Sequence, residues 1–134
     1  MSPSIVWGLG VGLVIALADA VTIFLTARPA PPEFPISEID IMINVALYTL
    51  IGFRVGRATG LVRDAAESTV LAGFVVSAIG IAFLTLLRPA VGGIDSTSDV
   101  VAIVAQNVAL GGLIGIVSGW LGSRVSQDGA NSRF

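Results

Sequence analysis

Four long apolar stretches constrain what this sequence can fold into. The hydrocarbon core of a bilayer is about 30 Å thick, and a helix needs roughly 20 apolar residues to cross it with all its backbone groups hydrogen-bonded internally. The four stretches therefore predict an all-α fold, an integral membrane four-helix bundle that forms a single membrane domain over residues 1–134. The predicted helices cover about residues 4–26, 39–58, 65–87 and 99–125.

The composition agrees with this assignment. Apolar residues make up 54% of the chain and charged residues 12%, whereas about 25% of the residues in a typical soluble domain are charged. The chain has no Cys and no His, which removes disulfides, thiolate nucleophiles and the usual protein ligands of zinc, iron–sulfur clusters and haem. We therefore expect no metal site and no cofactor. A net charge of −2 without a basic run argues against nucleic acid as a partner.

One segment of the sequence occurs twice. Residues 44–56 read NVALYTLIGFRVG, and residues 107–119 read NVALGGLIGIVSG. The triplet RPA also occurs twice, starting at Arg28 and at Arg88, each time before an acidic connector. These matches predict two helical hairpins with the same membrane orientation, which is a parallel repeat; shared apolar composition is the alternative explanation. The repeat units would cover residues 5–60 and 68–124.

Small residues recur at four-residue spacing in the predicted helices. Such stripes let two helix backbones approach closely, and close packing is what holds helices together in lipid, where the hydrophobic effect does not draw them together. We therefore predict tight packing inside the bundle; an outward-facing stripe that binds another copy or a larger partner is the alternative. The predicted packing residues are Gly8, Gly12, Ala16, Gly52, Gly56, Gly60, Gly73, Gly111, Gly115 and Gly119.

A few polar residues lie inside the predicted spans. An ionised side chain near the bilayer midplane costs at least about 2.5–3.5 kcal/mol, so Asp19 needs a partner. A rise of about 1.5 Å per residue places Asp19, Asn44 and Asn107 in the same half of the membrane, and we predict that they form a buried polar cluster. Thr22 and Gln106 are further candidate members. The cluster would fix helix register; a proton or small-cation site, or a polar contact to another subunit, a lipid or a quinone, are the alternatives.

The arginines are distributed unevenly between the two ends of the predicted helices. Five lie at one end and two at the other, and the positive-inside rule places the end with five, together with both termini, in the cytoplasm. We therefore predict a multi-pass protein of the cytoplasmic membrane. A cleaved secretory signal is the less favoured reading of the first segment, because its apolar run exceeds the roughly 7–15 residues of a signal core. The predicted anchors at the inner interface are Arg54, Arg57, Arg63, Trp7 and Trp120.

Residues 51–75 read IGFRVGRATGLVRDAAESTVLAGFV, in which a GxxxGR ending precedes a short loop and a third helix rich in small residues. This run resembles several uncharacterised families of small four-span prokaryotic membrane proteins. The resemblance implies a four-span fold and carries over no activity and no site residue.

The sequence also lacks the components of common enzymatic schemes. It has no HExxH motif, no Walker loop and no pair of intramembrane acids at helical spacing. We therefore expect a non-enzymatic structural or accessory subunit that packs with copies of itself or with a larger membrane complex, either respiratory, photosynthetic or transport machinery. The alternative is a small ion or proton channel or transporter that uses Asp19 and its neighbours. The expected partners are membrane lipids and other protein subunits.

Overall fold

The computed structural model describes residues 2–26, 36–86 and 96–131, and the described residues form four α-helices. All four are long and apolar enough to cross a membrane, so the all-α class and a fold compatible with a four-helix membrane bundle are confirmed. The largest difference from the predicted bounds is in the last helix, which continues past residue 125. Both RPA connectors lie outside the described residues. The helices are α1 (Pro3–Thr26), α2 (Ile36–Thr59), α3 (Val62–Leu86) and α4 (Thr97–Asn131).

The connection between α2 and α3 is very short. Gly60 follows the last residue of α2 with φ +72°, a left-handed conformation that glycine adopts without the steric cost of a side chain. Its N–H donates to the carbonyl of Gly56 at 2.9 Å and closes the last turn of the helix. A Cβ atom at Gly60 would meet nothing within 4 Å. The prediction of Gly60 as a packing residue is therefore wrong, because the stripe of small residues continues in sequence past the point where the helix ends.

The helices are arranged in the ring order α1, α3, α4, α2. Both α1 and α4 contact α2 and α3, and α2 also contacts α3, whereas the described residues of α1 and α4 do not contact each other. A two-fold axis between the hairpins would make the α1–α4 interface equivalent to the α2–α3 interface. The observed contacts are not symmetric in this way, so the arrangement predicted from the sequence repeat remains a prediction.

Equivalent glycines of the repeated segment nevertheless face each other between α2 and α4. Gly52 lies opposite Gly115, and Gly56 lies opposite Gly119. The two glycines of each pair are as far apart in the sequence as the two copies of NVAL are. A Cβ atom at Gly52 would lie 3.2 Å from Gly115 Cα, and one at Gly56 would lie 2.8 Å from Gly119 Cα. The two backbones are therefore as close as glycine alone permits, which agrees with the predicted role of these stripes.

The buried core is built mainly from α1, α2 and α3, while α4 contributes glycines and small polar residues. Tyr48 is the largest fully buried side chain, with 1% of its surface exposed. Its Cε1 would lie 3.2 Å from a Cβ atom at Gly111, which is the residue at the corresponding position of the second repeat. The ring therefore occupies space that a side chain on α4 would otherwise take.

Candidate functional site

Asp19 and Asn44 connect α1 to α2. The Nδ2 atom of Asn44 donates a hydrogen bond of 2.8 Å to Oδ1 of Asp19, and both residues are half-buried. The carbonyl Oδ1 of Asn44 is buried and accepts no hydrogen bond from the described residues. The structure thus brings two of the predicted cluster residues together, and it leaves one strong acceptor beside the carboxylate without a donor.

Tyr48 extends this site by one helical turn. It lies four residues after Asn44, on the same face of α2; its hydroxyl is buried and has no hydrogen-bond partner among the described residues. We call Asp19, Asn44 and Tyr48 the Asp19 site. Tyr48 is not among the residues predicted from the sequence, although a tyrosine one turn away from an asparagine in an apolar helix is the signal that points to it.

Asn107 does not belong to the Asp19 site. Its Nδ2 atom donates to Ser77 Oγ at 3.2 Å, and that hydroxyl donates to the carbonyl of Gly73 at 2.8 Å. The predicted cluster with Asp19 and Asn44 is therefore wrong for Asn107. The position of Asn107 along α4 indicates its depth but not which helices lie beside it. The described residues of α1 and α4 do not contact each other. In each hairpin, the repeated asparagine donates its side-chain hydrogen bond to the preceding helix. Asn44 of α2 donates to α1, and Asn107 of α4 donates to α3.

The two further candidates for the cluster lie in different surroundings. Gln106 is exposed on α4, so its predicted membership of a buried cluster is wrong. It precedes Asn107 by one residue, and one residue rotates a side chain by about 100° around a helix. Thr22 is half-buried on α1, three residues after Asp19, and its membership stays a prediction.

A buried hydroxyl connects α1 to α3. Ser68 is fully buried, and its Oγ donates to the backbone carbonyl of Ser4 at 2.6 Å. A Cβ atom at Gly8 would lie 2.7 Å from the carbonyl oxygen of Ser68, so the glycine permits the close approach that this hydrogen bond requires. Ser68 is not among the residues predicted from the sequence, because a helical serine commonly bonds to its own backbone and gives no sign of a partner on another helix.

Arginine and tryptophan side chains pair at the end of the bundle that carries the α2–α3 connection. The guanidinium carbon of Arg54 lies 5.8 Å from the ring centroid of Trp7, and that of Arg124 lies 4.0 Å from Trp120. Arg63 forms an ion pair of 2.8 Å with Glu67 on its own helix. The position of these predicted anchors relative to a membrane stays a prediction.

The chemistry available at the Asp19 site is hydrogen bonding and charge. It combines one carboxylate, one amide oxygen and one phenolic hydroxyl, which suits a proton, a water molecule or a small monovalent cation. Within the described ranges, no group of three or more acidic side chains could hold a metal ion, and the chain has no His or Cys.

No protein-family model, curated protein or solved structure matches this chain. What the fold defines is an all-α chain whose four long apolar helices are those of a multi-pass membrane protein. The resemblance of residues 51–75 to small four-span families stays a prediction.

Proposed function

We propose that this chain is a non-enzymatic protein of the cytoplasmic membrane that packs with copies of itself or with a larger membrane complex. Both termini would lie in the cytoplasm, and the two hairpins would derive from one duplicated unit, as the arginine distribution and the repeated segments support. The observation that carries the proposal is an outward-facing glycine on α1.

Gly10 packs against none of the described residues of the chain. A Cβ atom at this position would meet nothing within 4 Å, yet glycine in a helix is about 1 kcal/mol less favourable than alanine. Among membrane helices, the usual gain from such a glycine is the close approach of another helix. A glycine on the outside of the bundle that none of the described residues contacts therefore supports a partner helix at this position.

The surface around Gly10 is apolar and continuous. Val6, Leu13 and Leu17 lie on the same side of α1 by helical spacing, and they are 54%, 49% and 57% exposed. We call this surface, with Gly10, the α1 outer face. In α1, 22% of the apolar span is buried within the chain, compared with 11% in α4, and the described residues of α1 contact only α2 and α3. Its outer face is thus available to a partner along several turns.

Single-cysteine cross-linking can test this proposal, because the chain has no cysteine and gives no background reaction. Leu17→Cys places a thiol on the α1 outer face. Leu113→Cys, at a residue that is 67% exposed on α4, is the matched control. We expect oxidation to link Leu17→Cys into dimers in vesicles of purified protein, or to a larger partner in native membranes. Leu113→Cys should give neither product, and adding Gly10→Leu to Leu17→Cys should abolish the cross-link.

Two results would contradict packing through the α1 outer face. One is equal cross-linking of the α1 and α4 cysteines, which would indicate random collisions. The other is cross-linking through Leu17→Cys that persists when Gly10→Leu places a bulky side chain where the partner helix would approach. Cross-linking in native membranes but not with purified protein would assign the face to a larger complex.

The Asp19 site supports a second candidate function, a small ion or proton channel or transporter. A buried polar atom without a partner costs about 1–3 kcal/mol, and Asn44 Oδ1 and the Tyr48 hydroxyl are both in this state within the described part of the chain. A bound water molecule or small cation is the kind of partner that buried amide and phenol oxygens of this sort take. Intramembrane carboxylates surrounded by polar groups commonly mark ion and proton pathways.

Flux measurements in proteoliposomes separate the two candidates. Asp19→Asn should abolish proton or sodium flux without disturbing assembly if the site transports ions; unchanged flux with lost assembly would favour the structural role. Tyr48→Phe is the finer test, because it removes one hydroxyl and keeps the ring against Gly111. Ser77→Ala, which removes the partner of Asn107, is the control and should leave flux unchanged.

A further inference from the structure

Three adjoining cavities lie along the surface of α2. The first two lie between α2 and α4, and the third is lined by α2 alone. One cavity of about 310 Å³ and a second of about 400 Å³ share Thr49, Ser118 and Leu121 as lining residues. A third cavity of about 400 Å³ shares Phe53 with the second and includes Arg57. We call these three adjoining cavities the α2–α4 furrow. It begins among apolar side chains and ends at a basic side chain.

The furrow is apolar although two hydroxyl groups line it. Thr49 Oγ1 donates to the carbonyl of Val45 at 2.8 Å, and Ser118 Oγ donates to the carbonyl of Ile114 at 2.6 Å. Both hydroxyl hydrogens are thus used within their own helices. The remaining lining of the first two cavities is alanine, valine, leucine, isoleucine and phenylalanine. Such a surface suits a hydrocarbon chain rather than a polar ligand.

The basic end of the furrow carries charge that no described residue neutralises. Arg57 lies in the last turn of α2, and Arg54 lines the same cavity. The described residues supply neither of them with an ion pair; the ion pair at this end joins Arg63 to Glu67. The guanidinium group of Arg54 lies 5.8 Å from the centroid of the Trp7 ring, a contact that leaves its charge unneutralised. Both guanidinium groups can therefore pair with an anion from outside the chain.

The length of the furrow matches one leaflet of a bilayer. The second cavity begins at Ala46 and the third includes Arg57, a distance of about 17 Å along a helix that rises about 1.5 Å per residue. Half of a hydrocarbon core of about 30 Å is about 15 Å. A lipid whose phosphate lies at Arg57 would thus extend its acyl chain along the whole furrow.

We propose that the α2–α4 furrow binds an anionic phospholipid, with one acyl chain between the helices and the phosphate at Arg54 and Arg57. This site goes beyond the proposed function but rests on its membrane location, and it differs from the α1 outer face because its lining residues belong to α2 and α4. The shape selects a lipid, and the uncompensated arginines select a negatively charged headgroup over a zwitterionic one.

Native mass spectrometry of the full chain in mild detergent tests this site. Dioleoyl phosphatidylglycerol and dioleoyl phosphatidylcholine are added at equal concentration, and the retained lipid is counted. We expect phosphatidylglycerol to be retained preferentially and Arg57→Gln to lower the preference about fivefold, the contribution of one basic residue near an anionic surface. Arg57→Lys should keep most of it. Arg63→Gln removes the same charge outside the furrow, so it should leave the preference unchanged.

A second variant tests the acyl-chain part of the proposal. Thr49→Phe fills the furrow at an exposed position, so it should reduce retention of both lipids while circular dichroism shows an unchanged helix content. Glycerophosphoglycerol, the headgroup without acyl chains, should not displace the lipid. Equal retention of the two lipids by the wild type, equal effects of Arg57→Gln and Arg63→Gln, full retention by Thr49→Phe, or displacement by the free headgroup would each overturn the proposal.

Discussion

Replacing Gly56 with alanine should force α2 and α4 apart. The added Cβ would lie 2.8 Å from Gly119 Cα and 2.9 Å from its carbonyl carbon, whereas carbon atoms pack at about 3.5–4.0 Å. The helices must therefore separate by about 0.7 Å or more at this point. Both contacting groups are backbone atoms, so no side-chain rotation can relieve the overlap.

The expected loss of stability follows from this displacement. A gap of about 0.5–1 Å forfeits a quarter to a half of the dispersion energy of the contacts that it opens, and overpacking in well-packed cores costs about 1–3 kcal/mol. Alanine recovers up to about 1 kcal/mol through its higher helix propensity. We therefore expect Gly56→Ala to lower the free energy of unfolding by up to about 2 kcal/mol relative to the wild type, and by about 1–3 kcal/mol relative to Gly10→Ala, which gains the same helix propensity.

Unfolding in mixed micelles measures this difference. The chain is titrated from dodecyl maltoside into dodecyl sulfate, and helix content is followed by circular dichroism. Gly10→Ala is the matched control, because the Cβ that it adds meets nothing within 4 Å; it should be neutral or more stable than the wild type. A Gly56→Ala variant as stable as Gly10→Ala would refute the close backbone contact between α2 and α4.

Three further predictions concern hydrogen bonds and can use the same unfolding assay. Ser68→Ala removes the hydrogen bond to Ser4 and should cost about 0.6–1.7 kcal/mol, the range for such bonds between membrane helices; no change would show that α1 and α3 are held together without it. Asn44→Leu leaves Asp19 without its amide donor and should cost about 1–2 kcal/mol. Adding Asp19→Leu should recover part of that loss, since no buried charge remains, and a further loss would contradict this account. Glu67→Gln breaks an exposed ion pair with side chains 85% and 52% exposed and should cost less than about 0.5 kcal/mol.

The sequence was sufficient to predict the helices because hydropathy and length decide which segments can cross a bilayer. It also identified Gly52 and Gly56 as packing residues, since small residues at this spacing have one dominant use in membrane helices. The failure at Gly60 was avoidable. A glycine between a polar helix end and a new apolar run is a typical helix terminator, and that signal was present.

The site was only partly predictable. Asp19 and Asn44 were grouped correctly because a buried carboxylate requires a nearby donor. The same reasoning added Asn107 wrongly, because position along a helix gives depth and not the order of helices around the bundle. Ring order depends on which faces pack together, and glycine stripes on several helices allow more than one order. Only the coordinates show that Asn107 bonds to Ser77 instead.

The pairing of Tyr48 with Gly111 makes the two repeated segments unequal partners. Two copies of the first segment would bring two phenol rings into a space that holds one, and two copies of the second would leave that space unfilled. A chain that contained two copies of either hairpin would therefore pack less well than the natural chain at the level of Tyr48 and Gly111. At this level each segment is the complement of the other and cannot substitute for it.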